Sequence, residues 1–166
     1  MDWFEQLFGF KESEVAVRSN IEVDGSILRS LVNNRNFHHG VLEILSLAEL
    51  RERNRGSIDS GQRTTLREVV GNVQDLHQDV DNRHALFQVA SQCNLLEMVS
   101  PNVSPEQGIT GYIWDRTQGP ACALAAAPGT LYRNYCVPLG EQVGQSSDLQ
   151  VDTLQELQST LGETLW

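Results

Sequence analysis

"FQVASQCNLLEM" (residues 87–98) decides how this chain is read. Seven of its twelve residues are apolar, yet Ser91, Gln92 and Asn94 sit in its middle. A strand buried on both faces reads as a nearly continuous apolar run. The apolar start at 84–92, "HALFQVASQ", therefore predicts a buried strand. The polar residues mark the point where that strand leaves the core. In α/β folds ligands bind beyond the carboxyl ends of strands, so residues 91–98 fall where a site is expected.

Working outward, strands and helices alternate. "NIEVDGSILRSLV" (20–32) carries an Asp24-Gly25 turn signal between β-like runs and predicts a hairpin edge. "NNRNFHHG" (33–40) reads as a polar loop ending in Gly40. "VLEILSLAELRERNR" (41–55) predicts a strand over 41–45 and a helix over 46–54. "GSIDSGQRT" (56–64) reads as a surface loop, and the apolar spacing of Leu66, Val69 and Val70 predicts a strand over 65–70 ending at Gly71. A polar turn follows at 78–82. Two prolines make 100–108 a loop. "GPACALAAA" (119–127) predicts a helix, with Pro120 in its first turn and Pro128-Gly129 as its stop. Leu149, Leu154, Leu157 and Leu161 predict a final helix capped by Asp152. The fold class is α/β, a mixed sheet flanked by helices.

The start, "DWFEQLFGF" (2–10), places Trp3, Phe4, Leu7 and Phe8 on one helical face, with Asp2 as cap and Gly9 as stop. That face either docks on the domain or serves as an exposed partner-binding stripe. Residues 1–40 are taken as an N-terminal helix and hairpin extension, and 41–166 as the main domain.

The totals bound the function classes. A chain of 166 residues fits one domain with a sizeable core. The apolar and charged shares, 40% and 20%, are those of a globular protein rather than a disordered one. Residues 1–83 hold ten of the twelve basic residues, and 84–166 hold only Arg116 and Arg133 against eight acids. With a net charge of −10, the surface repels polyphosphate and anionic lipid, so neither nucleic acid nor membrane is an expected partner. Three cysteines without a C-x-x-C pair argue against a disulfide framework and a zinc site. No signal peptide is read at the N-terminus, and the expected location is cytoplasmic. No metal or cofactor is expected. His38-His39 point to opposite faces of an extended segment and have no evident third ligand. Cys93 with His84 fails as a nucleophilic pair, because nine strand residues put them about 30 Å apart, which leaves His77, approaching through the fold, as the alternative base for Cys93.

The candidate ligand-binding residues are Ser91, Gln92, Asn94, Arg116, Gln118 and Gly119. A carboxamide at a strand end both donates to and accepts from a ribose diol; the alternative for Asn94 is a turn residue bonding its own backbone. Ser91 and Gln92 either contact ligand or satisfy loop backbone. Residues 115–119 precede a helix, so their N–H groups can face an anion. Arg116 either holds a phosphate or pairs with Asp115 or Glu97. Glu97 and Asp115 are the only carboxylates near both segments, and so the candidates for a catalytic acid and its partner.

"VVGNVQDLHQD" with "ALFQVASQCNLLEM" resembles the opening of a macrodomain, specifically the poly(ADP-ribose) glycohydrolase-like branch. There a strand and a Gly-Asp-hydrophobic step lead to a second strand ending in Asn; here Gly71-Asn72-Val73 and Asn94 stand at those places. "GITGYIWDRTQGPACALAAAPGTLYRNY" stands for the loop and helix near the ligand. The resemblance spans roughly residues 41–140. It implies a three-layer macrodomain-like architecture in incomplete form, an ADP-ribose-type nucleotide as ligand, and hydrolysis of an ADP-ribose linkage as a further expectation. The chain departs from the family in carrying Asn72 in place of an acid, no adjacent Glu-Glu pair and no second glycine-rich loop. The alternatives are a non-catalytic interaction or scaffold domain and a truncated relative without a ligand.

Overall fold

The computed structural model describes residues 1–56, 65–88, 92–100 and 102–161. Its chain begins with α1 (Trp3–Phe8), capped by Asp2, whose carboxylate accepts the Glu5 N–H at 2.8 Å. Gly9 ends the helix at φ 88°, a left-handed conformation that glycine adopts without strain. The aromatic face turns inward. Phe4 and Phe8 are fully buried, each contributing roughly 2–3 kcal/mol of apolar burial. Of the two readings for this helix, docking is the one observed.

α2 (Glu14–Asn20) starts at Ser13, whose hydroxyl accepts the Ala16 N–H. It leads into β1 (Ile21–Asp24) and β2 (Ile27–Ser30), an antiparallel hairpin in register Ile21↔Ser30. The expected polar loop at 33–40 is corrected in part: Asn36–His38 form β3, paired antiparallel to β2 with Leu28 opposite Phe37. One inward aromatic between two polar residues is a period-2 pattern too short to register in a sequence window. Its ring lies 5.0 Å from that of Phe8.

α3 (Leu47–Arg53) forms where expected. The Ser46 hydroxyl accepts the Glu49 N–H, while the Glu49 carboxylate accepts the Ser46 N–H at 2.8 Å. The strands expected over 41–45 and 65–70 are not formed, and no residue over 84–88 is in a strand; 89–91 lie outside the described residues, as does most of the loop expected at 56–64. Leu66, Val70 and Leu86 are 99%, 96% and 94% exposed. A strand requires a ladder partner, and none lies beside these segments among the described residues. After Gly71 the chain enters α4 (Val73–Gln78), capped by Asn72, whose Oδ1 accepts the Gln74 N–H.

Short 3-10 turns at Pro105–Gln107 and Thr110–Trp114 lead to α5 (Gln118–Ala125), which buries Gly119, Pro120, Ala121 and Ala123. The helix stops at Ala126, two residues before the expected Pro128-Gly129. Pro128 instead occupies the first turn of α6 (Ala127–Leu131), where its missing N–H costs nothing. A π-helical turn, Tyr132–Cys136, carries the chain into the hairpin of β4 (Pro138–Leu139) and β5 (Gln142–Val143). α7 (Gln155–Leu161) completes the described chain.

The fold is mixed α/β in the coarse sense. Among the described residues its strands make two small antiparallel sheets, of three and two strands, rather than one mixed sheet. The buried cluster joins Phe4, Phe8, Val17 and Leu28 to Ile109, Tyr112, Ala123, Leu131 and Tyr135. It therefore draws on both sides of the boundary expected at residue 40. No helix among the described residues is long and apolar enough to cross a membrane.

Candidate functional site

Residues 92–95 form a turn: the Leu95 N–H donates to the Gln92 carbonyl at 2.9 Å, and Leu95 takes φ 62°. Asn94 is buried inside this turn. Its Oδ1 accepts the Leu96 N–H at 3.0 Å, and its Nδ2 donates to Gln150 Oε1 at 2.8 Å. Its carbonyl accepts from Gln145 Nε2, whose Oε1 in turn accepts the Val151 N–H. The Cys93 carbonyl takes both the N–H and the hydroxyl of Thr153. The turn is thus clamped to residues 145–153 by hydrogen bonds that are worth most where water is excluded.

A groove of about 630 Å³ opens beside this clamp. Gln92 and Asn94 line it with Asn102, Ser104, Gln150 and Asp152. Among the described residues lining it there is no Lys or Arg, and one carboxylate, that of Asp152. Gln92 keeps its amide at the surface, with Nε2 donating to the Met98 carbonyl at 3.2 Å. Asp152 Oδ1 accepts the Leu154 N–H at 2.8 Å. At one rim Ser147 donates its N–H and hydroxyl to Glu106 Oε1, at 2.6 and 2.9 Å. Slight desolvation opposes ionisation of the exposed Glu106, but these bonds and one from the Ser104 hydroxyl outweigh it and bring the carboxyl down to about 2.

The second expected segment, 115–119, does not contribute to this groove. Asp115 Oδ1 accepts the Thr117 N–H at 2.7 Å, and its carbonyl takes the Gln74 amide. The Gln118 amide donates to the Gln88 carbonyl. Gly119 is buried because the Glu97 carboxylate lies where its Cβ would be, which is a packing reason for glycine there. Arg116 is exposed and pairs with neither Asp115 nor Glu97. Glu97 faces a separate cavity of about 470 Å³, which Asp115 does not line. Ser91 lies outside the described residues. The structure brings together Gln92 and Asn94, then, and leaves Arg116, Gln118 and Gly119 elsewhere.

Several residues at these cavities carry no sequence signal. Gln145 and Gln150 are 51 and 56 positions from Asn94 and belong to an ordinary polar stretch, and Asp152 signals only a helix cap. His77 and Cys122 meet at 3.5 Å across 45 residues. No group of three or more His, Cys, Asp or Glu side chains among the described residues is placed to hold a metal.

Comparison with family models, with curated proteins and with solved structures finds no match. The reading of the site rests on its own residues.

Proposed function

We propose that the protein binds a small ribose-bearing ligand of the ADP-ribose type, with the groove beside Asn94 holding the ribose. The observation that carries this is the groove's lining: carboxamides and hydroxyls from Gln92, Asn102, Ser104 and Gln150 around one carboxylate, Asp152. Vicinal hydroxyls need donors and acceptors side by side, which a carboxamide offers on one group and a carboxylate complements. The volume is that of a small-molecule cleft. Lacking a basic side chain, the groove favours the sugar over the pyrophosphate, which would extend toward solvent. The macrodomain resemblance points to the same ligand class. Hydrolysis is no part of this reading, because Glu97 and Asp115 share no cavity.

Calorimetric titration with ADP-ribose, and with ribose 5-phosphate as a fragment, tests it. Saturable heat with ADP-ribose that Gln92→Ala and Asp152→Ala weaken supports the proposal; no heat at millimolar ligand overturns it.

An interaction domain is the second reading. It is favoured by apolar side chains in solvent, Trp114 at 85% exposure beside Leu66, Val70 and Leu86 already described, and not by α1, whose aromatic face is spent on the core. Pull-down with and without Trp114→Ser separates it from ligand binding.

A further inference from the structure

The cavity that Glu97 faces holds the one thiol–imidazole contact among the described residues: Cys122 Sγ lies 3.5 Å from His77 Nε2. The two come from packed helices, Cys122 from α5 and His77 from the last turn of α4. The imidazole is held flat against the Phe87 ring, with centroids 3.9 Å apart and planes 20° from parallel. Stacking fixes the ring plane and so aims Nε2. Both side chains line the cavity, and both are only half-buried, so a small molecule can reach them. The other walls are apolar, from Leu42, Phe87, Leu95 and the alanines of α5. Glu97 and Arg133 are the charged groups facing it.

We propose that Cys122 and His77 form a nucleophilic pair that takes an acyl group from a small ester or thioester whose acyl part is apolar. Cys122 Sγ attacks the carbonyl carbon and the bond to the leaving oxygen or sulfur breaks. The thiol proton passes to His77 Nε2 and from there to the leaving group. Water then attacks the thioester, giving the carboxylic acid and restoring the thiol. The sum is hydrolysis of the ester, with no oxidant or reductant required. Burial, then the negative Glu97, keeps the Cys122 thiol protonated at rest. The pair therefore works by base-assisted attack rather than as a preformed thiolate. The chain's other two thiols lack this setting. Burial pushes Cys136 up to about 11, and Cys93 has no imidazole within hydrogen-bonding reach.

This site is separate from the groove beside Asn94, and its test does not depend on that reading. The probe is 4-nitrophenyl acetate with the full chain, read by nitrophenolate release and by mass spectrometry of the peptides. Expected are an acetyl adduct on Cys122, its loss in Cys122→Ala, and acylation slowed on the order of 100-fold in His77→Gln. An adduct confined to Cys93 or Cys136, or an unchanged acylation rate in His77→Gln, overturns the proposal. Wild-type protein supplies a measurement that no misfolded variant can spoil. In brief iodoacetamide labelling Cys122 reacts ahead of Cys93 and Cys136, because His77 takes the thiol proton as the sulfur attacks. Labelling of Cys122 no faster than that of Cys93 overturns the pairing.

Discussion

Glu12 is the carboxylate on which the packing of the N-terminal helices depends, and replacing it tests that packing directly. The residue sits between α1 and α2. Its Oε1 accepts the Ile109 N–H at 2.7 Å and the Tyr135 hydroxyl at 2.9 Å. Its Oε2 accepts the Thr110 N–H at 2.7 Å and the Thr110 hydroxyl. Ile109 is fully buried and Tyr135 nearly so. In Glu12→Ala the two N–H groups and the phenol lose their acceptor. Each stranded donor costs about 1–3 kcal/mol, and partial hydration through the half-exposed Glu12 site trims the sum to about 4 kcal/mol. That is a large share of the total stability of a chain this size. At a urea slope of about 2 kcal/mol/M the midpoint drops by about 2 M. Glu12→Gln keeps the shape and one acceptor oxygen, and should lose about half as much. In a double-mutant cycle with Tyr135→Phe the two losses are non-additive by about 1 kcal/mol. A Glu12→Ala midpoint within about 0.3 M of wild type would refute the reasoning, because it would mean that residues 109–110 are hydrated without Glu12.

Three further outcomes follow from the same geometry. Gly144 takes φ 82°, and a Cβ there would lie 2.6 Å from the Tyr135 carbonyl oxygen, so Gly144→Ala should cost about 3 kcal/mol, read as a lower melting temperature. The Glu106 carboxyl, at about 2 in the fold against 4.5 unfolded, adds stability above pH 4.5 that is lost as the pH falls toward 2. Because Glu106 is exposed, screening leaves on the order of 1 kcal/mol, and Glu106→Gln should flatten the acid limb of stability against pH by that amount. Asn94→Ala strands the buried Leu96 N–H and should cost about 2 kcal/mol in denaturant unfolding, whereas Asn94→Asp keeps that acceptor and should cost less; equal stabilities for Asn94→Ala and wild type would contradict the clamp.

The elements legible in the sequence are those with local punctuation. Asp2 and Gly9 bracket α1, Asp24-Gly25 makes the first hairpin, Ser46 with Glu49 starts α3 and Pro120 starts α5. These signals act within four residues, so no knowledge of the rest of the fold is needed to read them. The strands expected at 41–45 and 65–70 rested on apolar content alone. Apolar content says that a segment prefers burial, not that a partner strand lies beside it, and here the segments run unpaired. α4 escaped because Gly71-Asn72 read as the end of a strand, when Asn72 is the cap of a helix. At the site, Gln92 and Asn94 were visible as polar residues in an apolar run. The residues that clamp the turn, Gln145 and Gln150 on Asn94 and Thr153 on Cys93, were not, because contacts across more than 50 positions leave no periodic trace. For the same reason the Cys122–His77 contact could not be read from either residue's neighbours. What "FQVASQCNLLEM" encodes at its polar centre is first a clamp, with Asn94 holding the turn and Gln92 left at the rim of the groove.

The most direct test of the ligand reading is an amide chemical-shift titration of the uniformly ¹⁵N-labelled chain with ADP-ribose. Binding in the groove predicts saturating shifts at Gln92–Asn94, Asn102–Ser104 and Ser147–Asp152, with residues 115–119 unmoved. Shifts confined to 115–119, or none at millimolar ADP-ribose, would contradict it.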